Sequence, residues 1–135
     1  MANVRALKHN YPDIQQGQIG PIISAKQVKI VEAQLQDAKD KGATILCGGE
    51  VLNLGGGRYC LPTVLTDVNP QMSVVSQETF AAVLPVTIID SDEQGVVLAN
   101  DSEFGLSAAV FSQNVDYAKQ IARQLEAGAV SINDA

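Results

Sequence analysis

Leu106-Ser107-Ala108-Ala109-Val110-Phe111, then Asn114-Val115-Asp116-Tyr117-Ala118, then Gly128-Ala129-Val130-Ser131-Ile132 is the stretch that decides the fold. A short apolar run is followed by a helix-capping Asn114. Val115, Ala118, Ile121, Ala122 and Leu125 then recur at helical spacing, Gly128 stops the helix, and a second apolar run begins. The pattern reads as strand, helix, strand. Upstream, Val83 to Ile89 reads as another strand, and Ser91-Asp92-Glu93-Gln94 as the cap of a short helix reaching about Ala99. Strands separated by helices cannot pair as hairpins. They imply a parallel sheet with right-handed crossovers, which is an α/β fold.

Further outward, Ser24-Ala25-Lys26-Gln27 has the form of a capping box, with Gln27 reaching back, and Val28, Val31, Leu35 and Ala38 follow at helical spacing until Gly42. A helix of about four turns is predicted there. Ala43 to Cys47 reads as a short buried strand. Asn53-Leu54-Gly55-Gly56-Gly57 is a hairpin turn, and Tyr59 to Val68 is extended, with Pro62 making it an edge or irregular strand. Residues 1–20 carry Pro12, Gly17 and Gly20 without sustained periodicity and read as an arm, a short helical piece and then a loop. Residues 21–135 contain no linker long enough to divide them into independent domains.

The bulk composition narrows the function. At 135 residues the chain holds one modest core, and 46% hydrophobic residues with 4% aromatics describe an aliphatic one. A net charge of −6, a pI near 4.5 and nine scattered Lys and Arg disfavour nucleic acid and anionic membrane as partners. The sequence lacks a secretory leader pattern and an apolar run of spanning length, so a cytoplasmic location is expected. Cys47 and Cys60 are too few for a disulfide framework and lack metal-ligand spacing, so reduced thiols and no metal are expected. The single His9 reads as a solvated residue.

The chemistry-bearing blocks are Gly57-Arg58-Tyr59-Cys60-Leu61-Pro62-Thr63-Val64-Leu65-Thr66-Asp67-Val68, Gln77-Glu78-Thr79-Phe80-Ala81-Ala82-Val83-Leu84-Pro85-Val86, Ala99-Asn100-Asp101-Ser102-Glu103-Phe104-Gly105-Leu106-Ser107-Ala108, and Leu125 to Asp134. In that order and spacing they resemble the C-terminal part of the catalytic domain of the NAD(P)-dependent aldehyde dehydrogenase superfamily. The resemblance covers about residues 19–134. It implies a three-layer, parallel-sheet portion of that fold, an oxidoreductase acting on aldehydes with NAD or NADP as acceptor, and a homo-oligomer or docking with a complementary aldehyde dehydrogenase half.

On the residues alone, Glu78 reads as a solvated loop carboxylate and Phe80 as a core aromatic. The resemblance gives both a cofactor-binding role. The matching Glu of the family's Glu-x-Phe motif receives the nicotinamide-ribose hydroxyls, and a carboxylate suits a vicinal diol because it accepts two charge-assisted hydrogen bonds. The matching Phe walls the nicotinamide end. The family continues with Gly-Pro, whereas Ala81-Ala82 stands here, so a positive φ at the first of these positions would strain Ala81.

Aldehyde oxidation also needs a thiolate nucleophile, an oxyanion donor and a base. The family places the nucleophile in Gly-Gln-x-Cys and the base in Glu-Leu-Gly-Gly, and neither motif occurs in these 135 residues; Gly17-Gln18-Ile19-Gly20 has Gly in place of the Cys. Cys47 and Cys60 read as small hydrophobes. The glycines at 55–57 do not form a phosphate cradle, because no helix follows them. Asn133 and Asp134 end a strand where α/β folds build ligand sites, or are merely chain-end polar residues. The expectation is a chain without a catalytic residue of its own, inactive alone and without a tightly bound cofactor. The alternative is a stand-alone binding or interaction module that dimerises or docks on full-length subunits.

Overall fold

The computed structural model describes residues 2–134, which form two compact units meeting between Ile88 and Ile89. The first unit opens with α1 (Ala2–Ala6) and a loop in which His9 bridges to Ile19. Then comes α2 (Ala25–Asp40), capped by Ser24, whose hydroxyl accepts from the Gln27 amide at 3.4 Å. Only half of the expected capping box forms, because the Gln27 side chain turns away and donates to the Phe80 carbonyl at 3.5 Å. The predicted stripe is the buried face: Val28, Val31, Leu35 and Ala38 are all buried. The helix ends at Lys41, and Gly42 follows with φ +92°, the left-handed stop expected of it.

Three strands form a mixed sheet in the order β1-β4-β5. β1 (Thr44–Cys47) runs antiparallel to β4 (Thr63–Thr66), and β5 (Val83–Pro85) runs parallel to it. Between them a separate antiparallel hairpin joins β2 (Val51–Leu54) to β3 (Gly57–Cys60). Its two-residue turn, Gly55-Gly56, has positive φ at both positions (57° and 84°), as a type I′ turn requires.

Of the two readings of the Pro62 strand, edge or irregular, the irregular one holds, and two other expectations change. Pro62 splits the extended run into β3 and β4, and β4 is the middle strand, carrying the fully buried Leu65. β1 is not fully buried, because it pairs on one side only and alternates between exposed and half-buried residues. β5 stops at Pro85, although the Val86 amide still donates to the Leu65 carbonyl at 2.9 Å. The core is one cluster in which Val31, Leu35 and Ala38 of α2 meet Cys60, Leu65, Val68, Met72 and Val74. A short α3 (Ser73–Ser76) follows that cluster's Met72.

The second unit contains α4 (Asp92–Asn100), β6 (Ser107–Val110), α5 (Val115–Ala122) and β7 (Ala129–Ile132). β6 and β7 are parallel and in register, the βαβ arrangement expected from the sequence. The fold is α/β, with the parallel pairing split between β4-β5 in the first unit and β6-β7 in the second. Ser91 caps α4 and Asn114 caps α5, the latter through the Tyr117 amide at 3.0 Å. Gly128 does not end α5. The helix stops at Ala122, and the Gly128 amide instead donates to the Gly105 carbonyl at 2.7 Å. Of the apolar stripe predicted for α5, Ala118 is buried, Ile121, Ala122 and Leu125 are half-buried, and Val115 is exposed.

Candidate functional site

The Glu78–Phe80 segment leaves α3 through Gln77, which is extended (φ −122°, ψ 157°). The exposures of the next three residues alternate: Glu78 is exposed, Thr79 half-buried, and Phe80 75% exposed. Phe80 is therefore not a core aromatic. The Glu78 carboxylate has no hydrogen bond or ion pair among the described residues, so both oxygens can accept from a ligand.

The main chain beneath them is tied down. Gln34 Nε2 donates to the Glu78 carbonyl at 3.2 Å, and Thr79 Oγ1 donates to Gln34 Oε1 at 2.9 Å. Beyond Phe80 the chain closes in two tight steps, Ala81 amide to Thr79 carbonyl (3.0 Å) and Val83 amide to Ala81 carbonyl (2.9 Å). Ala81 is not at positive φ; among the described non-glycine residues only Asp67 and Asn133 are. The strain anticipated at Ala81 is thus absent, because this loop turns by i to i+2 hydrogen bonds.

Beside the segment lies an apolar cleft of about 430 Å³, lined by Ile22, Ile23, Gln27, Cys60, Phe80 and Ala81 among others. Glu78 stands outside this lining. Gln27 and Gln34 escaped the sequence reading. Gln27 was assigned to the cap, and Gln34 lies in the apolar stripe between Val31 and Leu35, where a polar residue at 3% exposure is itself the signal.

The other candidate groups are structural. Cys60 is buried, which pushes its thiol pKa up, and its Sγ donates to the Leu61 carbonyl. The Cys47 thiol points to the Pro62 carbonyl at 3.5 Å. His9 is half-buried and packs edge-on against Tyr59 at 5.3 Å, with Nε2 3.4 Å from the Cys60 carbonyl, so the expectation of a solvated histidine is corrected. Asn133, at φ 57°, clasps the backbone of Ser112 from both ends of its amide at 2.9 Å, tying the end of β7 to the end of β6. Among the described residues no three acidic, His or Cys side chains gather as a metal site, and no helix is long and apolar enough to cross a membrane.

Comparison with known proteins supplies the family. Residues 1–135 match the profile described as the aldehyde dehydrogenase family. The chain belongs to the aldehyde dehydrogenase family. It is 42% identical over 115 residues to succinate-semialdehyde dehydrogenase [NADP(+)] of Deinococcus radiodurans, a match covering 85% of this chain and 24% of that protein. It superimposes on PutA of Anabaena variabilis with a TM-score of 0.97 at 51% identity, covering 99% of this chain and 29% of that one. A Mycobacterium tuberculosis aldehyde dehydrogenase complexed with NAD+ gives a TM-score of 0.90 at 34% identity, covering 98% and 28%. The chain spans about a quarter of the length of the curated relatives it matches. The match also takes in residues 1–18, outside the stretch that carried the resemblance.

Proposed function

We propose that this chain supplies the ribose-contacting edge of an NAD(P)-dependent aldehyde-oxidising site and does not complete the reaction by itself. The observation that carries this reading is the exposed, unpartnered Glu78 carboxylate beside Phe80 on a loop anchored from below. Its two oxygens fit the two hydroxyls of a ribose diol, and Phe80 offers an apolar wall to a planar ring. The nicotinamide, when bound, would supply the acceptor for a hydride, the aldehyde hydrogen together with its electron pair. The residues of this chain bind and orient the ribose and exclude water from one side of it.

Nucleophile and base would come from a complementary aldehyde dehydrogenase polypeptide. The buried, proton-retaining Cys60 thiol is unsuited to attack a carbonyl, since the thiolate is the nucleophilic form. NAD and NADP both remain candidate cofactors, bound weakly by this chain, and the cytoplasm is its proposed compartment. Aldehyde-dependent reduction of NAD or NADP, assayed with the chain alone and again with a complementary partner, tests this: activity should appear only in the mixture. Turnover by the chain alone that vanishes in Cys47→Ser or Cys60→Ser would refute it.

A second reading, an interaction module that dimerises or docks on full-length subunits, is favoured by the second unit. Leu106, Phe104, Phe111 and Val97 are all exposed there, and Ala118 is the sole buried hydrophobic of that unit among the described residues. A two-stranded sheet with so little core ordinarily needs a cover.

A further inference from the structure

We infer that Gln34 is a positioning residue for Glu78: by holding the Glu78 carbonyl and the Thr79 hydroxyl together, it fixes the direction in which the Glu78 carboxylate faces. The inference rests on the reading of Glu78 as a ribose contact and adds the device that aims it. Gln34 lies in the buried stripe of α2, where Val31, Leu35 and Ala38 pack the core. A primary amide in such a place is unfavourable unless both of its ends are bonded. Both are, and both bonds go to two consecutive residues of the loop and to nothing else in the core. An aliphatic side chain would fill the stripe without any such requirement, so the amide is accounted for by the loop.

The geometry makes this contact directional. Thr79 is half-buried between the exposed Glu78 and Phe80, so holding its hydroxyl inward on Gln34 keeps the two neighbouring side chains outward. Two more α2 side chains hold the same segment. Asp37 accepts from both the Ser73 amide (2.7 Å) and the Ser73 hydroxyl (2.9 Å) upstream, and Gln27 donates to the Phe80 carbonyl downstream. Residues 27, 34 and 37 are spaced 7 and 3 apart, so they project from one side of the helix. Residues 73–80 are therefore fastened along a single helical face, with Gln34 at the point where orientation is decided.

The test uses the 135-residue chain, isotope-labelled, with NAD+ as the probe. The Glu78 carboxyl carbon and the 77–80 amides are followed by NMR during titration. In Gln34→Leu, the amides of α2 and β4 should keep their positions, hydrogen exchange at 78–80 should accelerate, and the NAD-induced displacement of the Glu78 carboxyl should fall several-fold. Thr79→Val should do the same, while Thr79→Ser, which keeps the hydroxyl, should restore the native behaviour. If Gln34→Leu does not fold, the Thr79 pair decides. Unchanged exchange and an unchanged Glu78 response in Gln34→Leu or Thr79→Val would overturn the inference. If Glu78 of the unaltered chain does not respond to NAD+, the ribose reading fails instead, and the exchange rates alone then report whether Gln34 sets the loop.

Discussion

Gln34 and Thr79, 45 residues apart in sequence, meet side chain to side chain at 2.9 Å, and this bond couples the buried face of α2 to the exposed loop carrying Glu78. Gln34→Ala should lower stability by about 1 to 3 kcal/mol, because it opens a space in the core stripe and strips the loop of two hydrogen bonds. Gln34→Leu should cost less. A double-mutant cycle of Gln34→Leu with Thr79→Val, read by urea denaturation, should give a coupling of about 1 kcal/mol. Simple additivity would mean that the two groups do not interact in solution.

Asp37 links the same helix to α3. The Lys41 side chain and the Ser73 amide hold its carboxyl pKa at about 2, below the ordinary 3.8. A depressed acid pKa means that the charged form is favoured in the folded state. Its contribution is complete above about pH 4 and is lost as pH falls from there through about 2. Hydrogen exchange at the Ser73 amide should accelerate across that window, while Asp37→Asn should exchange quickly and show no such transition. A flat profile in the native chain would count against the cap.

The opposite sign holds for Tyr117, whose hydroxyl donates to Asp92 at 2.7 Å. The hydrogen bond to Asp92 raises its pKa above 10.0, with the nearby negative charge adding to the effect. The contribution is full below pH 10 and is lost as the phenol ionises above it. Ultraviolet titration should show this tyrosine ionising above pH 10. Asp92→Asn should bring it back toward the ordinary value.

Leu65 is fully buried in the middle strand between β1 and β5. Leu65→Ala should cost about 2 to 5 kcal/mol, a large share of the stability of so small a domain. A loss under 1 kcal/mol by thermal denaturation would show that the first unit does not depend on this core.

The chain should self-associate. Leu106 is 88% exposed, and the β6-β7 pair has few buried neighbours. Open strand edges with exposed aliphatic residues are ordinarily covered, most often by a symmetric dimer. Light scattering coupled to size exclusion should give a mass above 14.3 kDa. A monomer at high concentration that binds no apolar dye would refute this.

Local signals were readable and remote ones were not. Ser24, Ser91 and Asn114 cap their helices within three residues of themselves, so the sequence exposed all three. The short α3 went unseen because its cap is Asp37, 36 residues away, and Met72 at its start offers no side-chain bond. The same distance hid the partnership of Gln34 with Glu78. Pro62 was visible as a break, but whether its strand would lie at an edge or in the middle depends on pairing with β1 and β5, which periodicity does not encode. The residues alone read Phe80 as a core aromatic, and its 75% exposure was not legible because it depends on the turn that follows it and on the anchoring of Thr79 by Gln34.

The central claim is that the Glu78 carboxylate is a ribose contact, and titration of the isolated chain with NAD+, compared with Glu78→Ala by NMR, tests it most directly. The account predicts weak binding whose chemical-shift changes centre on Glu78 and Phe80 and disappear in Glu78→Ala, since one such contact contributes on the order of 1.5 to 3 kcal/mol and cannot by itself offset the freedom lost on association. Micromolar binding that is unchanged in Glu78→Ala would contradict it.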